Sequence, residues 1–166
     1  RVCVKVLHAA YTEDAIGRFQ LEARALAALG GGVHENLVHV RDFGITASGK
    51  PFLVMEYLEG RTLAQERSSR GEIPWTEAVE WTLQALEGMS VAHRAGIVHR
   101  DIKPPNLFLC APTAIRPATV KVLDFGIVKI VSSDAPFEGN ATPTAAGHLM
   151  GTPRYVSPDV IRQETL

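Results

Sequence analysis

The stretch VHRDIKPPNLFLC at residues 98–110 decides the fold, because it sets charged and amide side chains directly before an apolar run. Asp101, Lys103 and Asn106 fall within six positions, and the run that follows is short, as for a buried strand. Further along, TVKVLDFG at residues 119–126 is another short strand pattern and contains Asp124. A single aspartate beside a strand is usually a turn or capping residue. The two stretches together indicate a chemical site rather than two unrelated turns.

The composition is that of a globular domain. The chain has 166 residues, of which 46% are hydrophobic and 21% are charged, and its formal net charge is −1. A nearly neutral chain has no overall field that would attract nucleic acid or an acidic membrane. No apolar run approaches the ~18 residues that a membrane span needs. We therefore expect no nucleic-acid partner and no membrane segment in this fragment.

The two cysteines, Cys3 and Cys110, lie far apart in apolar sequence and belong to no cluster of metal ligands. We expect both to be small buried residues in a reducing compartment, without a disulfide or a zinc site. The sequence also lacks the residue order of a signal peptide. Together these features predict a cytoplasmic location, although regions outside this sequence could anchor the protein to a membrane.

Hydrophobic periodicity predicts a strand-rich first third followed by helices. A strand is expected at residues 1–9, a helix at 14–31 that glycines end, and two strands around a turn at 48–50. Two helices with a break at Gly71 and Pro74 are expected next, then strands at 106–110 and 119–126. Residues 132–151 show no periodicity and are expected to form a mobile loop. This order predicts two unlike lobes joined near residues 58–60.

The segments HRDIKPPN at residues 99–106 and DFG at 124–126 together resemble the protein kinase family, and the likeness extends over nearly the whole chain. The sequence is most similar to those of bacterial Ser/Thr kinases of the eukaryotic type. The resemblance implies an α+β, two-lobed protein-kinase-like fold, with a partial N-lobe at residues 1–57 and a partial C-lobe at 58–166. It also implies truncation at both ends, without the glycine-rich hairpin and the later C-lobe helices, so we expect the fragment alone to be inactive.

The resemblance implies roles for the residues of the two motifs. Asp101 would orient the substrate hydroxyl, and Lys103 would reach the transferring phosphate. Asn106 and Asp124 would supply oxygen ligands to Mg²⁺, or to Mn²⁺, beside the phosphates of ATP. Phosphoryl transfer needs these residue types because the γ-phosphoryl group carries dense negative charge that must be screened and held in line.

The segment VCVK resembles the strand that carries the family's phosphate-contacting lysine, which makes Lys5 that residue. By the same resemblance its glutamate partner would be Glu22, and the apolar pattern of the predicted helix keeps Glu22 off the face of Phe19 and Leu26. Glu13 and Glu35 are further candidates, but both stand in turn-like sequence. FLVMEYLEG resembles the segment that joins the two lobes, where backbone groups hold adenine.

In that joining segment, the resemblance assigns the backbone of Glu56 and Leu58 to the adenine, with Met55 behind it. Cys3 stands where the family usually has alanine, over the adenine ring, and would present a thiol there if it is not simply structural.

The segment GTPRYVSPD at residues 151–159 resembles the one that shapes the family's peptide-substrate site. Thr152 in this setting implies Ser/Thr specificity, because its hydroxyl can bridge Asp101 and Lys103. Thr142 and Thr144 are candidate phosphorylation sites, and Arg100 could pair with such a phosphate and order the loop.

The sequence therefore predicts an ATP-dependent protein serine/threonine kinase that acts on protein hydroxyls and can self-associate for autophosphorylation. The alternative is a pseudokinase, an ATP-binding interaction module without transfer activity. Such proteins usually lose the lysine or one of the two aspartates, and this chain keeps all three. A kinase of small molecules is a third class, but GTPRYVSPD would not be expected in it.

Overall fold

The structure of the chain is a computed structural model that describes residues 1–7, 13–30, 34–99, 101–125 and Tyr155, with only part of the side chains of the first helix. The elements in chain order are β1 (Val2–Val6), α1 (Glu13–Gly30), β2 (Val40–Ile45), β3 (Pro51–Glu56), β4 (Gly60–Thr62), α2 (Leu63–Arg70), α3 (Trp75–Arg94), a 3-10 turn (Pro104–Asn106), β5 (Leu107–Cys110) and β6 (Thr119–Val122). The strands form two antiparallel sheets, ordered β1-β3-β2 and β4-β5-β6.

The first sheet packs against α1, so that the sheet and the helix form two layers. A tight turn joins β2 to β3, in which the Gly49 N–H donates to the Thr46 carbonyl at 2.9 Å. Gly49 has a φ of 76°, which glycine adopts without strain, and this explains the turn predicted at residues 48–50. Phe19 and Ala23 of α1 are fully buried, so the apolar face predicted from the period of 3.6 is the face that packs.

The second sheet contains a strand that the sequence analysis did not predict. Gly60 at the start of β4 has a φ of 147°, and a Cβ there would collide with the Leu109 carbonyl of β5. Only glycine therefore fits this pairing. In the same sheet, β6 ends at Val122, earlier than predicted. The Leu123 N–H still donates to the Asn106 carbonyl at 2.8 Å, in register with the β5–β6 pairing, and the left-handed φ of 47° at Asp124 then turns the chain away from the strand direction.

A short segment after α1 connects the two sheets. The Asn36 carbonyl accepts a hydrogen bond from the Val122 N–H at 2.8 Å, and the Val38 N–H donates to the Val122 carbonyl at 3.1 Å. The buried side chain of Asn36 donates from Nδ2 to the Val120 carbonyl at 2.8 Å. These bonds tie the chain near the first sheet to β6, the strand that leads to Asp124.

Among the helices that the structure describes, none is long and apolar enough to cross a membrane. The loop predicted at residues 132–151 lies outside the described residues.

Candidate active site

Asp101 lies at the centre of a small polar cluster between α3 and β5. Its Oδ2 atom is 2.8 Å from Lys103 Nζ and accepts a hydrogen bond from Asn106 Nδ2 at 3.0 Å. Both charged side chains are mostly buried, at 19% exposure for Lys103 and 23% for Asp101. An ion pair at this depth is screened less than one on the surface. The cluster therefore holds the Asp101 carboxylate in one orientation.

The short 3-10 turn positions Asn106. The Asn106 N–H donates to the Lys103 carbonyl at 2.9 Å, and the side-chain amide also donates to the Asp101 carbonyl at 2.8 Å. Asn106 is buried, and because its amide nitrogen is committed to Asp101, the direction of its Oδ1 atom is set as well. No hydrogen bond from the described part of the chain reaches this oxygen. An oriented amide oxygen with no internal donor is suited to a cation.

Lys5 and Asp124 face each other across the space between the two sheets. Lys5 Nζ of β1 lies 2.6 Å from Asp124 Oδ1, two residues after β6, and both side chains are about one third exposed. Asp124 has a φ of 47°, the left-handed region that few residues other than glycine, asparagine and aspartate adopt. This backbone conformation turns the chain out of β6 and directs the carboxylate towards β1.

The oxygens of Asp124 and Asn106 fit a hard divalent cation. The Leu123 N–H donates to the Asn106 carbonyl at 2.8 Å, so the segments that carry these two side chains are held side by side. A carboxylate and an amide oxygen leave further positions of an octahedral cation open to phosphate oxygens and water, the arrangement Mg²⁺ prefers. Within the described residues there is no group of three His, Cys, Asp or Glu side chains that could hold a metal. A carboxylate with an amide oxygen is a donor set that suits a metal shared with a phosphate ligand.

His99 links the segment that carries Asp101 to the segment that carries Asp124. The fully buried ring places Nε2 2.7 Å from the Leu123 carbonyl, and Nδ1 accepts a hydrogen bond from the Asp101 N–H at 3.2 Å. Its ring also stacks at a tilt on Phe125, with centroids 4.8 Å apart. The carbonyl needs a donor and the Asp101 N–H needs an acceptor, so both contacts are made by the neutral ring with its proton on Nε2. Burial lowers the pKa of His99 below its ordinary value, although the Leu123 carbonyl, Asp101 and Asp124 favour the charged form.

This lowered pKa predicts a loss of stability in mild acid. The unfolded chain takes up a proton on this histidine as the pH falls through about 6.5, whereas the folded chain resists it, so the free energy of unfolding falls from that pH downwards. We expect a His99→Gln variant to be less stable at pH 7.5 and to show a shallower decrease between pH 6.5 and 5.

Urea denaturation at a series of pH values measures this decrease. The matched control is His93→Gln, because His93 is exposed in the last turn of α3. An equal slope in wild type and His99→Gln would contradict the assignment of the acid-sensitive proton to His99.

The segment predicted to contact adenine begins at the end of β3. Met55 is buried and is opposite Cys3 in the pairing of β1 with β3. The Glu56 N–H donates to the His39 carbonyl at 3.0 Å, and Leu58 packs against the core. In the described part of the chain, the backbone N–H and carbonyl of Leu58 make no hydrogen bond, so they are available to a ligand.

The expectation that Cys3 is a small buried residue is wrong. Cys3 is exposed, since β1 is an edge strand whose other side has no neighbour among the described residues. Cys110 is half-buried, and neither cysteine is in a disulfide. The thiol of Cys3 is therefore accessible beside Met55, as the alternative interpretation of this position requires.

Sequence reasoning missed the role of the Glu56 side chain and of Lys121. Glu56 Oε1 accepts hydrogen bonds from Lys121 Nζ at 2.8 Å and from the His39 N–H at 2.9 Å, and Lys121 Nζ also donates to the Leu37 carbonyl at 3.3 Å. These contacts fix the end of β3 to β6 and to the chain at residues 37–39. Glu56 and Lys121 are 65 positions apart, and no local pattern pairs them.

Several predicted site residues lie outside the described residues: Arg100, Thr142, Thr144 and Thr152. Glu22 lies in α1, but its side chain is also outside the description, so the pairing of Lys5 with Glu22 stays a prediction. The partner that the structure assigns to Lys5 is Asp124.

Comparison with known proteins links this geometry to one family. The protein kinase domain family matches residues 1–166. The serine/threonine-protein kinase pkn3 of Myxococcus xanthus is 40% identical over 99% of this chain, and PknL of Mycobacterium tuberculosis is 39% identical over 97%. The chain spans 29% and 37% of the length of these two relatives.

Solved structures agree with the predicted fold class. The kinase domain of Mycobacterium tuberculosis PknI superimposes with a TM-score of 0.65 and 27% identity, over 76% of this chain and 49% of that one. A structure of Rad53 in complex with AMP-PNP gives a TM-score of 0.70 at 24% identity, over 98% of this chain and 36% of the other, a likeness in fold alone. The prediction of an α+β, two-lobed fold of this type is confirmed.

Proposed function

We propose that the protein containing this chain transfers the γ-phosphoryl group of ATP to Ser/Thr hydroxyls of proteins. The chain belongs to the protein kinase family, and its relatives are bacterial Ser/Thr kinases of the eukaryotic type. The observation that carries this proposal is the cluster in which Asp101 Oδ2 contacts Lys103 and Asn106. The Lys5–Asp124 ion pair on the other side of the site supports it.

In this mechanism Asp101 accepts a hydrogen bond from the substrate hydroxyl and directs the hydroxyl oxygen at the γ-phosphorus. The bond from that oxygen to phosphorus forms as the bond from phosphorus to the β–γ bridging oxygen breaks. The proton of the hydroxyl passes to the Asp101 carboxylate, and the ADP oxygen keeps the electron pair. Lys103, 2.8 Å from the same carboxylate, places its ammonium where negative charge is transferred.

A magnesium ion, or manganese, would be held by Asp124 and Asn106, and when bound it supplies electrostatic screening of the phosphates. Lys5 lies 2.6 Å from Asp124, so the ammonium that would contact the α and β phosphates is already beside the metal ligand. Glu22 would fix Lys5 once that lysine turns towards the nucleotide. The backbone of Glu56 and Leu58 would bind adenine, between Met55 and Cys3.

Protein substrates and control by phosphorylation complete the proposal. Thr152 would bridge Asp101 and Lys103, which favours a Ser/Thr substrate. Thr142 and Thr144 would be modified by a second copy of the protein, and Arg100 would pair with the resulting phosphate. A pseudokinase that binds ATP without transfer is the alternative, and the presence of Lys5, Asp101, Asn106 and Asp124 favours transfer over it.

The test is incorporation of labelled γ-phosphate by the full-length protein with Mg²⁺ and generic protein substrates, followed by phosphopeptide mapping of residues 132–152. We expect label on serine and threonine of the substrate and on Thr142 or Thr144, and none when EDTA removes the metal. A folded protein that binds Mg·ATP but labels neither itself nor any substrate would favour the pseudokinase.

A further inference from the structure

A cleft of about 690 Å³ lies beside the end of β3, whose last residue, Glu56, lines it. It is bounded by residues 34–41, by Glu56, and by the hairpin of β5 and β6 with its connecting loop. None of Lys5, Asp101, Asn106 and Asp124 lines it, whereas Glu56 belongs both to this lining and to the segment that would hold adenine. Its volume is in the range of small-molecule and peptide side-chain sites.

Basic side chains and imidazoles make up much of the lining of the cleft. The basic side chains and imidazoles that line it are His34, His39, Arg41, Arg116 and Lys121. The carboxylates are those of Glu35 and Glu56, and Glu56 is neutralised by Lys121 at 2.8 Å. Arg41 and Arg116 form no ion pair within the described part of the chain, which leaves two guanidinium groups for a ligand.

The backbone presents each of these arginines in a specific way. The register of β2 against β3 shifts between Val40 and Asp42, so Arg41 is the extra residue of a β-bulge, a feature that redirects a side chain. On the opposite wall, Thr113 organises the loop that carries Arg116. The Thr113 N–H donates to the Arg116 carbonyl at 2.9 Å, and the Arg116 N–H donates to Thr113 Oγ1 at 3.1 Å. Both arginines are therefore held at the cleft by ordered backbone.

Two further features favour an anion in this cleft. Burial raises the pKa of the Cys110 thiol, so this side chain adds no negative charge at neutral pH. The Nδ1 atom of His39 is buried and has no hydrogen-bond partner in the described part of the chain. An unpaired buried ring nitrogen is costly, and a polar ligand that hydrogen-bonds to it would remove that cost.

We propose that this cleft binds a phosphate group, carried by a phosphorylated residue of a peptide and gripped by Arg41 and Arg116. Guanidinium groups bind phosphate through paired hydrogen bonds, and a phosphorylated residue carries a charge of about −1.5 to −2. A phosphate alone fills little of the cleft. The remaining wall, which includes Leu37, Ala111 and Pro117, can contact the residue that bears the phosphate. This inference concerns binding and does not depend on whether the protein transfers phosphate.

The experiment measures fluorescence anisotropy of a labelled Gly/Ala peptide that carries one phosphoserine. It uses the full-length protein with a saturating non-hydrolysable ATP analogue, which keeps the nucleotide site filled. We expect the unphosphorylated peptide to bind at least about tenfold more weakly, and Arg41→Gln and Arg116→Gln each to raise the Kd about tenfold. Arg94→Gln is the matched control, because Arg94 is exposed on α3, away from the cleft.

Competition by inorganic phosphate identifies the source of the bound group. If inorganic phosphate binds at least about tenfold more weakly than the phosphopeptide, the ligand is a peptide. If inorganic phosphate binds with equal affinity, and this binding is lost in Arg41→Gln and in Arg116→Gln, the site is assigned to free phosphate. Equal Kd values for the two peptides, no binding of either peptide, or wild-type affinity in a variant that combines Arg41→Gln and Arg116→Gln would overturn the proposal. Because Arg41 and Arg116 are exposed, all variants are expected to fold.

Discussion

Replacing Asp101 by asparagine is expected to lower kcat about 10³-fold in the full-length protein, with little change in KM for ATP. Asparagine keeps the shape of the side chain and an oxygen that can accept from Asn106, but it cannot take the proton of the substrate hydroxyl. It also removes the ion pair of 2.8 Å with Lys103. The two effects act on the transferred group, and neither touches the segment that would hold adenine.

Steady-state kinetics with labelled ATP and a protein substrate measure this loss. Asp42→Asn is the matched control, because Asp42 is exposed on β2 and, among the residues that the structure describes, its carboxylate accepts a hydrogen bond only from the Phe43 N–H. A denaturation curve shows that the Asp101 variant is folded, since the lost ion pair is expected to cost about 1–3 kcal/mol. Retention of more than about a tenth of the wild-type kcat by a folded Asp101→Asn protein would rule out Asp101 as the catalytic base.

The second large effect is expected for Asp124→Asn, which should lower activity about 10²- to 10³-fold and raise the Mg²⁺ concentration needed for half-maximal activity. Asparagine offers one neutral oxygen where aspartate offers a charged carboxylate, so the attraction for a divalent cation falls. Lys5 also loses the partner that lies 2.6 Å away. That pair is about one third exposed, so its loss is expected to cost at most about 1 kcal/mol of stability.

The Mg²⁺ titration distinguishes a metal ligand from a residue that only orients Lys5. Lys5→Met removes the same ion pair and leaves the Asp124 carboxylate in place without a competing ammonium, so we expect reduced activity with an equal or lower Mg²⁺ requirement. The same shift in Mg²⁺ requirement for both variants, or none for Asp124→Asn, would show that the carboxylate does not bind the metal.

Both aspartates of the candidate site contact other side chains of the protein. Asp101 contacts Lys103 and Asn106, and Asp124 contacts Lys5. A magnesium ion at Asp124 would compete with the Lys5 ammonium for the same carboxylate. Binding of nucleotide and metal therefore has to redistribute this pair, and the predicted contact of Lys5 with Glu22 offers the lysine an alternative partner.

Local sequence was enough to predict the candidate residues of the site. Asp101, Asn106 and Asp124 stand at motif positions whose residue types are demanded by phosphoryl chemistry, and the strands beside them follow short apolar runs. The helix that carries Phe19 was predicted to within a residue at its start, because a period of 3.6 over 18 residues is a strong signal. The strand β4 was missed, because its 3 residues, Gly60–Thr62, are too few for an alternating pattern.

By itself, the sequence determined the family, the residue types of the site and the elements with strong periodicity, because each depends on side chains close together along the chain. Tertiary structure alone decided that Lys5 pairs with Asp124, that Lys121 holds Glu56 across 65 positions, and that Cys3 is exposed. It also brought Arg41 and Arg116 to one cleft. These contacts depend on how the two sheets pack and on the left-handed turn at Asp124, and distances set by packing leave no mark in local sequence.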